Sequence, residues 1–536
     1  MPKKSTGCWT CRARRKKCDG ARPVCSTCRL RSITCYGYDE VKPEWMDGST
    51  SRQTVLQGFK RQCKLAYSQR RSEQAKSRSK LSRQLQSHAP VQPRPSDQPV
   101  IEVTSNSPVV DSVPFTEREL DLVMYYLDHI FPRLCTFFKY NPTDDGRGWL
   151  LSLFLRTKPL CALAVCLSAC DRAQLVLGAL NETSQPLHDL EMQHIQIATD
   201  LRDHLGRLVD EDGAYQMSAA VEALACIMHL IFFELWIPRK NDMENDWVLH
   251  LNAASTLLNS VARKLDYDRP SNVNNRIEDH FPTESLTGSE LATFNYYYSH
   301  YTYFLTSMAA SIGLTPQSSL SLDRTHAIFH RQQSKLRDTM GCEDWVMTTV
   351  LEIASLREWK AHMKENGSLS LRELTQRAGH FETRLTAGLA DLLARRRSPG
   401  KDSREQQQDM VTDIFINGAL VFLHGVTSGL YPNLQEIQDS VLQTLIALEY
   451  MRQHSKINVP SWPYCIAGCL ALEGLHDRFR ALYPLPQDGS HPLVNTKWSL
   501  DIMEESWRLR CSQPPDSEIY DCGTMMAKLG TRILLS

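Results

Sequence analysis

The chain has 536 residues, 42% of them hydrophobic and 23% charged, with a formal net charge of zero. That length predicts more than one domain, and the composition excludes a disordered or fibrous chain. The zero hides an asymmetry: residues 1–85 hold 21 Lys+Arg against 6 Asp+Glu, leaving 40 against 55 for the remainder. A basic head on an acidic body predicts a polyanion partner for the head and none for the body. The start, MPKKSTG, lacks an apolar h-region, so no secretory signal is expected. The most apolar windows are 150–169, interrupted by Arg156, Lys158 and Pro159, and 223–236, which includes His229 and Glu234. Both read better as buried helices than as bilayer spans, so no membrane partner is expected. The thiols are expected in a reducing compartment, cytosol or nucleus.

The first element is GCWTCRARRKKCDGARPVCSTCRLRSITC, residues 7–35. Its cysteines, Cys8, Cys11, Cys18, Cys25, Cys28 and Cys35, form C-x2-C-x6-C twice over, with a six-residue loop between the halves. A disulfide framework suits neither a reducing address nor so long a chain. One zinc held by four cysteines would leave two idle thiols and no role for the repeat. Two zincs fit better: eight tetrahedral positions filled by six sulfurs require two sulfurs to bridge. Two Zn2+ and six thiolates carry a net charge of −2, which the flanking Arg and Lys offset. So short a segment cannot bury enough apolar surface to fold alone. Metal binding worth about 10–16 kcal/mol per structural site would do the folding. With no open coordination position and no general base nearby, the zincs are expected to be structural.

This spacing, the basic block after the second cysteine, and Pro23 in the central loop resemble the fungal Zn2Cys6 binuclear-cluster DNA-binding domain. The resemblance implies that Cys8 and Cys25 are the bridging thiolates. Between Cys11 and Cys18 lies RARRKK, which reads as a short helix packed on the cluster. The module places such a helix in the major groove. The resemblance assigns base contact to Arg14 and Arg15, where many relatives carry Lys and read a CGG triplet; arginine reaches guanine O6 and N7 bidentately. Arg12, Lys16, Lys17, Arg22, Arg29 and Arg31 are expected on phosphates. A solvated charged turn and a nuclear-localisation signal are the competing readings of the block, and the second is compatible with DNA contact.

Residues 1–40 are thus read as the DNA-binding domain and 41–114 as a basic segment and linker. Pro43 to Gly48, PEWMDG, resembles the linker that follows the cluster in many filamentous-fungal regulators. Residues 50–86 lack proline and suit a helix, with Leu56, Phe59, Cys63 and Ala66 at heptad spacing. The next slots are Arg70 and Glu73, so a solvated basic helix fits better than a dimerising coil. A homodimer stays an open alternative. Residues 87–114 hold six prolines without periodicity and read as a disordered tether.

From residue 115 to 536 the pattern is helical. FTEREL is a capping box on Thr116 and Glu119, and Leu120, Val123, Leu127 and Ile130 follow at helical spacing until Pro132. Phe381, Leu385, Leu389 and Leu392 form a second stripe, and Leu434, Ile437, Val441, Leu445 and Leu448 a third. Strand alternation is scarce, so the expected fold is all-α: a small zinc module, a linker and a large helical regulatory body. MYYLDHIFPRL (124–134), GRGWLLSLFLRTKPL (146–160) and residues 231–258 resemble the fungal-specific transcription factor domain of the second type. That resemblance implies an effector-sensing or partner-binding body that gates transcription.

Other features read blandly. Trp149, Trp236 and Trp247 are expected in the core rather than around a ligand. Cys465 and Cys469 read as a buried apolar pair, and His250 as a satisfied core histidine. The run 395–401 ends a helix where cations suit the dipole. Asn181 to Thr183 matches a glycosylation pattern without relevance to a reducing compartment. P-loop, zincin, nucleophile-elbow and dinucleotide signatures are absent, and GVTSG (425–429) has the wrong spacing, so no catalytic residue is assigned. The functional expectation is a zinc-dependent, sequence-specific regulator of RNA polymerase II genes in the nucleus, with double-stranded DNA and co-regulators as partners. Such relatives typically govern secondary-metabolite or nutrient-use genes. A rival reading keeps a ligand- or protein-binding helical regulator and reduces the head to a basic tether on chromatin without sequence choice. An enzymatic body fused to the head is a second rival.

Overall fold

The computed structural model describes residues 7–14, 16, 18–30, 33–38, 43, 116–138, 147–177, 196–206, 217–236, 246–267, 286–313, 336–397, 402–455, 457–483, 494–512 and 521–535. Arg15, Lys17, Arg31, the heptad slots of 50–86, the tether, Asn181 to Thr183 and Ser398 to Lys401 lie outside the described residues. The chain divides into two compact units, Met1–Ser107 and Pro108–Ser536. Described secondary structure is helical throughout, with no strand among the described residues.

Among the described residues, the first unit holds two short helices, α1 (Trp9–Ala13) and α2 (Ser26–Leu30). Its core is a cluster of sulfurs with Ile33 and Tyr38 against it, not an aliphatic core.

The second unit starts with α3 (Glu117–Tyr125), held by the expected capping box: Glu119 N–H donates to Thr116 Oγ1 and Thr116 N–H to Glu119 Oε2. Its stripe departs from expectation in two ways. Leu120 is exposed while Leu122 is buried, and the helix does not stop at Pro132. A π-turn over Tyr126–Ile130 intervenes, and α4 (Phe131–Leu134) continues beyond it. Pro132 has no N–H to give the preceding turn, and the wider turn accommodates that loss.

α5 (Gly148–Arg156) and α6 (Lys158–Leu177) meet at Thr157 with a 114° bend. Pro159 at the second position of α6 sits where its missing N–H has no partner to lose. The apolar window 150–169 is therefore two helices. A helix follows over 196–205, taken as α7. Next come α8 (Met217–Trp236), α9 (Asp246–Tyr267) and α10 (Gly288–Ser311). α8 packs on α6, α9 and α10, and most of its faces are buried. A second capping box, Thr287 with Glu290, opens α10.

The second half comprises α11 (Leu336–Met340), α12 (Asp344–Glu365), α13 (Leu371–Arg396) and α14 (Ser403–Ser428). It continues with α15 (Gln435–His454), α16 (Ser461–Leu470), α17 (Glu473–Ala481), α18 (Val494–Arg510) and α19 (Cys522–Lys528). α14 is the hub, in contact with α12, α13, α15 and α16, while α10 against α12 joins the two halves. By length and composition α8 and α14 could each cross a membrane, yet 78% and 83% of their most apolar windows are buried inside the fold. Their apolarity is explained by neighbours on all sides.

Trp149, Trp236 and Trp247 are in this core as expected, and so are Cys465 and Cys469, with Cys522 alongside Cys465. His250 is not a core residue: it is half-buried, with its Nε2 3.3 Å from Glu234 Oε1. Among the described residues, the core histidines are His229 and His300. His229 Nδ1–H donates to Ala225 O at 3.0 Å, and Tyr126 O–H donates to its Nε2 at 2.9 Å. Residues 532–535 are also tied into the core: Leu534 and Leu535 are buried, Trp247 Nε1 donates to Arg532 O, and Ser307 Oγ donates to Leu535 O.

Candidate metal centre and nucleic-acid interface

The two halves of the cysteine repeat fold alike. Cys11 N–H donates to Cys8 Sγ at 3.3 Å, and Cys28 N–H to Cys25 Sγ at 3.3 Å. Arg12 N–H and Arg29 N–H then donate to Cys8 O and Cys25 O, both at 3.0 Å. Each C-x2-C thus wraps the first sulfur under one helical turn, where peptide N–H groups favour a thiolate.

All six sulfurs converge in two overlapping sets. Cys8, Cys11, Cys18 and Cys25 form one, and Cys8, Cys25, Cys28 and Cys35 the other, each with its sulfurs within 4.8 Å of one another. Cys8 and Cys25 belong to both. Sulfur separations are 3.7 Å for Cys8–Cys25, 3.8 Å for Cys8–Cys28 and 3.7 Å for Cys11–Cys25. A tetrahedron with metal–sulfur bonds of about 2.3 Å has an edge of about 3.8 Å. The donor set therefore fits zinc in number, softness and spacing. Burial pushes the Cys8, Cys11 and Cys28 thiols up, Cys11 to about 11. Burial also opposes ionisation of Cys18, but the hydrogen bond from Cys8 N–H helps to bring it down to about 6. Buried sulfurs that resist ionisation alone are stabilised as thiolates by a dication.

Three residues outside the cysteine pattern fix the module, and spacing gave no sign of them. Thr10 Oγ1 donates to Thr34 O at 2.8 Å and accepts from Tyr36 N–H at 2.9 Å, tying α1 to the last segment. Asp19 accepts from Ser26 N–H with both oxygens, at 3.0 and 3.1 Å, and hydrogen bonds from the Ser26 side chain first and from this N–H hold its carboxyl below the usual range. Asp19 thus caps α2 from seven residues away, as a side-chain oxygen at a helix start does. Tyr38 O–H donates to Ala21 O at 2.9 Å, closing the central loop.

The basic block differs from the expected helix. α1 ends at Ala13, Arg14 is its C-cap, and Lys16 N–H donates to Cys11 O at 2.9 Å. The helix starts at Trp9, ahead of the charges, whose mutual repulsion disfavours its extension. Arg12 and Lys16 are exposed, while Arg14 is half-buried with a sheltered Nη1 that has no hydrogen-bond partner. The Arg12 guanidinium stacks on Trp9 at 4.0 Å and Arg22 on Tyr38 at 5.2 Å. Such stacking pre-sets a cation's direction without neutralising it.

Comparison with known proteins agrees with this geometry. Residues 6–44 match the fungal Zn(2)-Cys(6) binuclear cluster domain, and residues 121–536 match the fungal specific transcription factor domain. A trichothecene biosynthesis transcription regulator of Fusarium sporotrichioides is 29% identical over 73% of this chain and 92% of its own length. Pestheic acid cluster transcriptional regulator 3 of Pestalotiopsis fici is 28% identical over 94% of both chains. The ustiloxin B cluster transcription factor of Aspergillus flavus is 26% identical over 99% of both. No solved structure matches. A six-sulfur zinc module on a helical body of this kind places the chain in the family of fungal Zn2Cys6 transcription regulators that carry a fungal-specific transcription factor domain.

Proposed function

We propose that the protein binds two structural zinc ions through Cys8, Cys11, Cys18, Cys25, Cys28 and Cys35, with Cys8 and Cys25 shared, and reads CGG-containing DNA in the nucleus. The observation that carries this reading is the pair of overlapping four-sulfur sets with two members in common. When bound, the ions supply only structure: they hold α1 and the basic block as one rigid surface. Arg14 and Arg15 take base edges, and Arg12, Lys16, Lys17, Arg22, Arg29 and Arg31 take phosphates. The residue ranges 1–40, 41–114 and 115–536 serve as reader, tether and regulatory body. The names of the relatives support control of a secondary-metabolite gene set transcribed by RNA polymerase II, with co-regulators recruited by the body.

Selection from a random double-stranded library with the full-length, zinc-loaded protein and an EDTA-treated control tests this. CGG triplets enriched only in the zinc sample are expected. Two triplets at fixed spacing would identify a symmetric dimer, and one alone a monomer. No enriched motif, or binding indifferent to EDTA, would leave the head as a charged tether and move function to the body.

A further inference from the structure

In the second unit, α12, α14, α16 and the start of α19 leave a half-open cavity of about 180 Å3. Its walls are apolar, built from Phe422, Leu430, Ile466 and Leu470. Arg357 and Lys360 reach it together, three residues apart on α12 and so on one face. Asp521 is the single carboxylate among the lining residues, and it accepts from Thr524 N–H as the N-cap of α19.

Both cations cap helix ends. Arg357 donates through Nη1 to Ala310 O at 3.0 Å and through Nη2 to Ala309 O at 2.7 Å, in the last turn of α10. Lys360 Nζ donates to Val426 O at 2.6 Å, near the end of α14. Capping accounts for the direction of the two side chains but not for the space beside them. Packed interiors hold few voids larger than a water, and a cavity of about 150 Å3 already accepts benzene. Two of the five N–H groups of Arg357 are used, and no carboxylate among the described residues pairs with it. Its guanidinium lies 5.4 Å from the Phe422 ring, at the junction of charge and apolar wall.

A second cavity, of about 130 Å3, lies beside Trp236, His300 and Phe415. Its cation, Arg133, is already paired with Asp171 at 2.8 Å, unlike Arg357.

We propose that the larger cavity is a binding site for a small amphipathic monocarboxylate. A hydrocarbon body of about one ring packs between Phe422, Leu430 and Ile466, and the carboxylate meets Arg357 and Lys360. Volume sets the one-ring limit, and the Arg357 guanidinium, with no carboxylate partner among the described residues, favours an anion over a neutral or cationic ligand. The site belongs to the helical body and does not depend on how the N-terminal unit reads DNA.

The test is fluorine NMR on the full-length protein with three matched probes: 4-fluorobenzoate, fluorobenzene and 4-fluorobenzylamine. The carboxylate is expected to bind with a Kd of about 1 mM or tighter, which is ordinary for a ligand of this size. The neutral and cationic probes should bind at least tenfold more weakly. Arg357→Gln should weaken 4-fluorobenzoate at least tenfold, Arg357→Lys should retain it, and Leu430→Trp should abolish it by filling the space. Far-UV circular dichroism checks that each variant folds, and Val421→Phe replaces Leu430→Trp if that variant does not. Absence of carboxylate binding, equal binding of fluorobenzene, or binding that survives in a folded space-filling variant would overturn the proposal.

Discussion

Arg14 and Lys17 stand three positions apart, yet they are expected to fail differently. Arg14→Ala and Arg15→Ala should each lose about 1–3 kcal/mol of discrimination between CGG and mismatched sites. Lys17→Ala should weaken every site alike and lower the salt slope by about one. Competition binding across salt concentrations separates the two, and identical behaviour would mean that no base is read. Among the sulfurs, Cys25→Ser should cost both zincs and Cys35→Ser only one, as counted by metal analysis of purified protein; equal losses would refute bridging by Cys25. His229 and His300 give a pH signature. Burial lowers His229 to about 3 and His300 to about 4, from an ordinary value of 6.5. Both are then neutral in the folded protein, whereas the unfolded chain takes up protons as pH falls through 6.5. Stability should therefore be level above about pH 6.5 and fall below it, by up to about 1.4 kcal/mol per pH unit for each histidine. Urea midpoints at pH 7.5, 6.5 and 5.5 measure this, and a flat profile across the last two would contradict it.

Along α13, Gly388 sets helix propensity against packing. Alanine is favoured over glycine by about 1 kcal/mol in a helix interior, but a Cβ here would lie 2.2 Å from Trp345. Overpacking of that kind costs about 1–3 kcal/mol, so Gly388→Ala should lower the thermal midpoint; a rise would mean that Trp345 moves aside freely. Elements also show how far the sequence could be read. The capping box at Thr116 and the stripe Ile437, Val441, Leu445 and Leu448 were legible because their partners lie within a turn or two. The π-turn after Tyr125 was not, since it shifts the period by one residue without changing composition. Nor was the burial of Asp409 and Asp413 in α14. Their charges are met by Arg337 at 2.8 Å and Arg396 at 2.7 Å, on other helices, and distant partners leave no local pattern. In the metal centre the cysteines announced themselves, whereas Thr10, Asp19 and Tyr38 act through single hydrogen bonds that no spacing encodes.

For the whole molecule, two units with unlike cores should fail separately. The first is organised around sulfur and the second around a continuous apolar cluster from Val123 to Leu535. EDTA should abolish DNA binding while leaving the helical circular dichroism signal nearly intact, because the described helix is overwhelmingly in the second unit. A cooperative loss of both signals would show that the body requires the metal.

The burial of Leu534 and Leu535 carries a consequence for genetics. Leu534 and Leu535 fill core positions, and Leu535 O accepts from Ser307. A stop codon ahead of Leu534 would therefore remove core residues and behave as a null allele rather than a silent one.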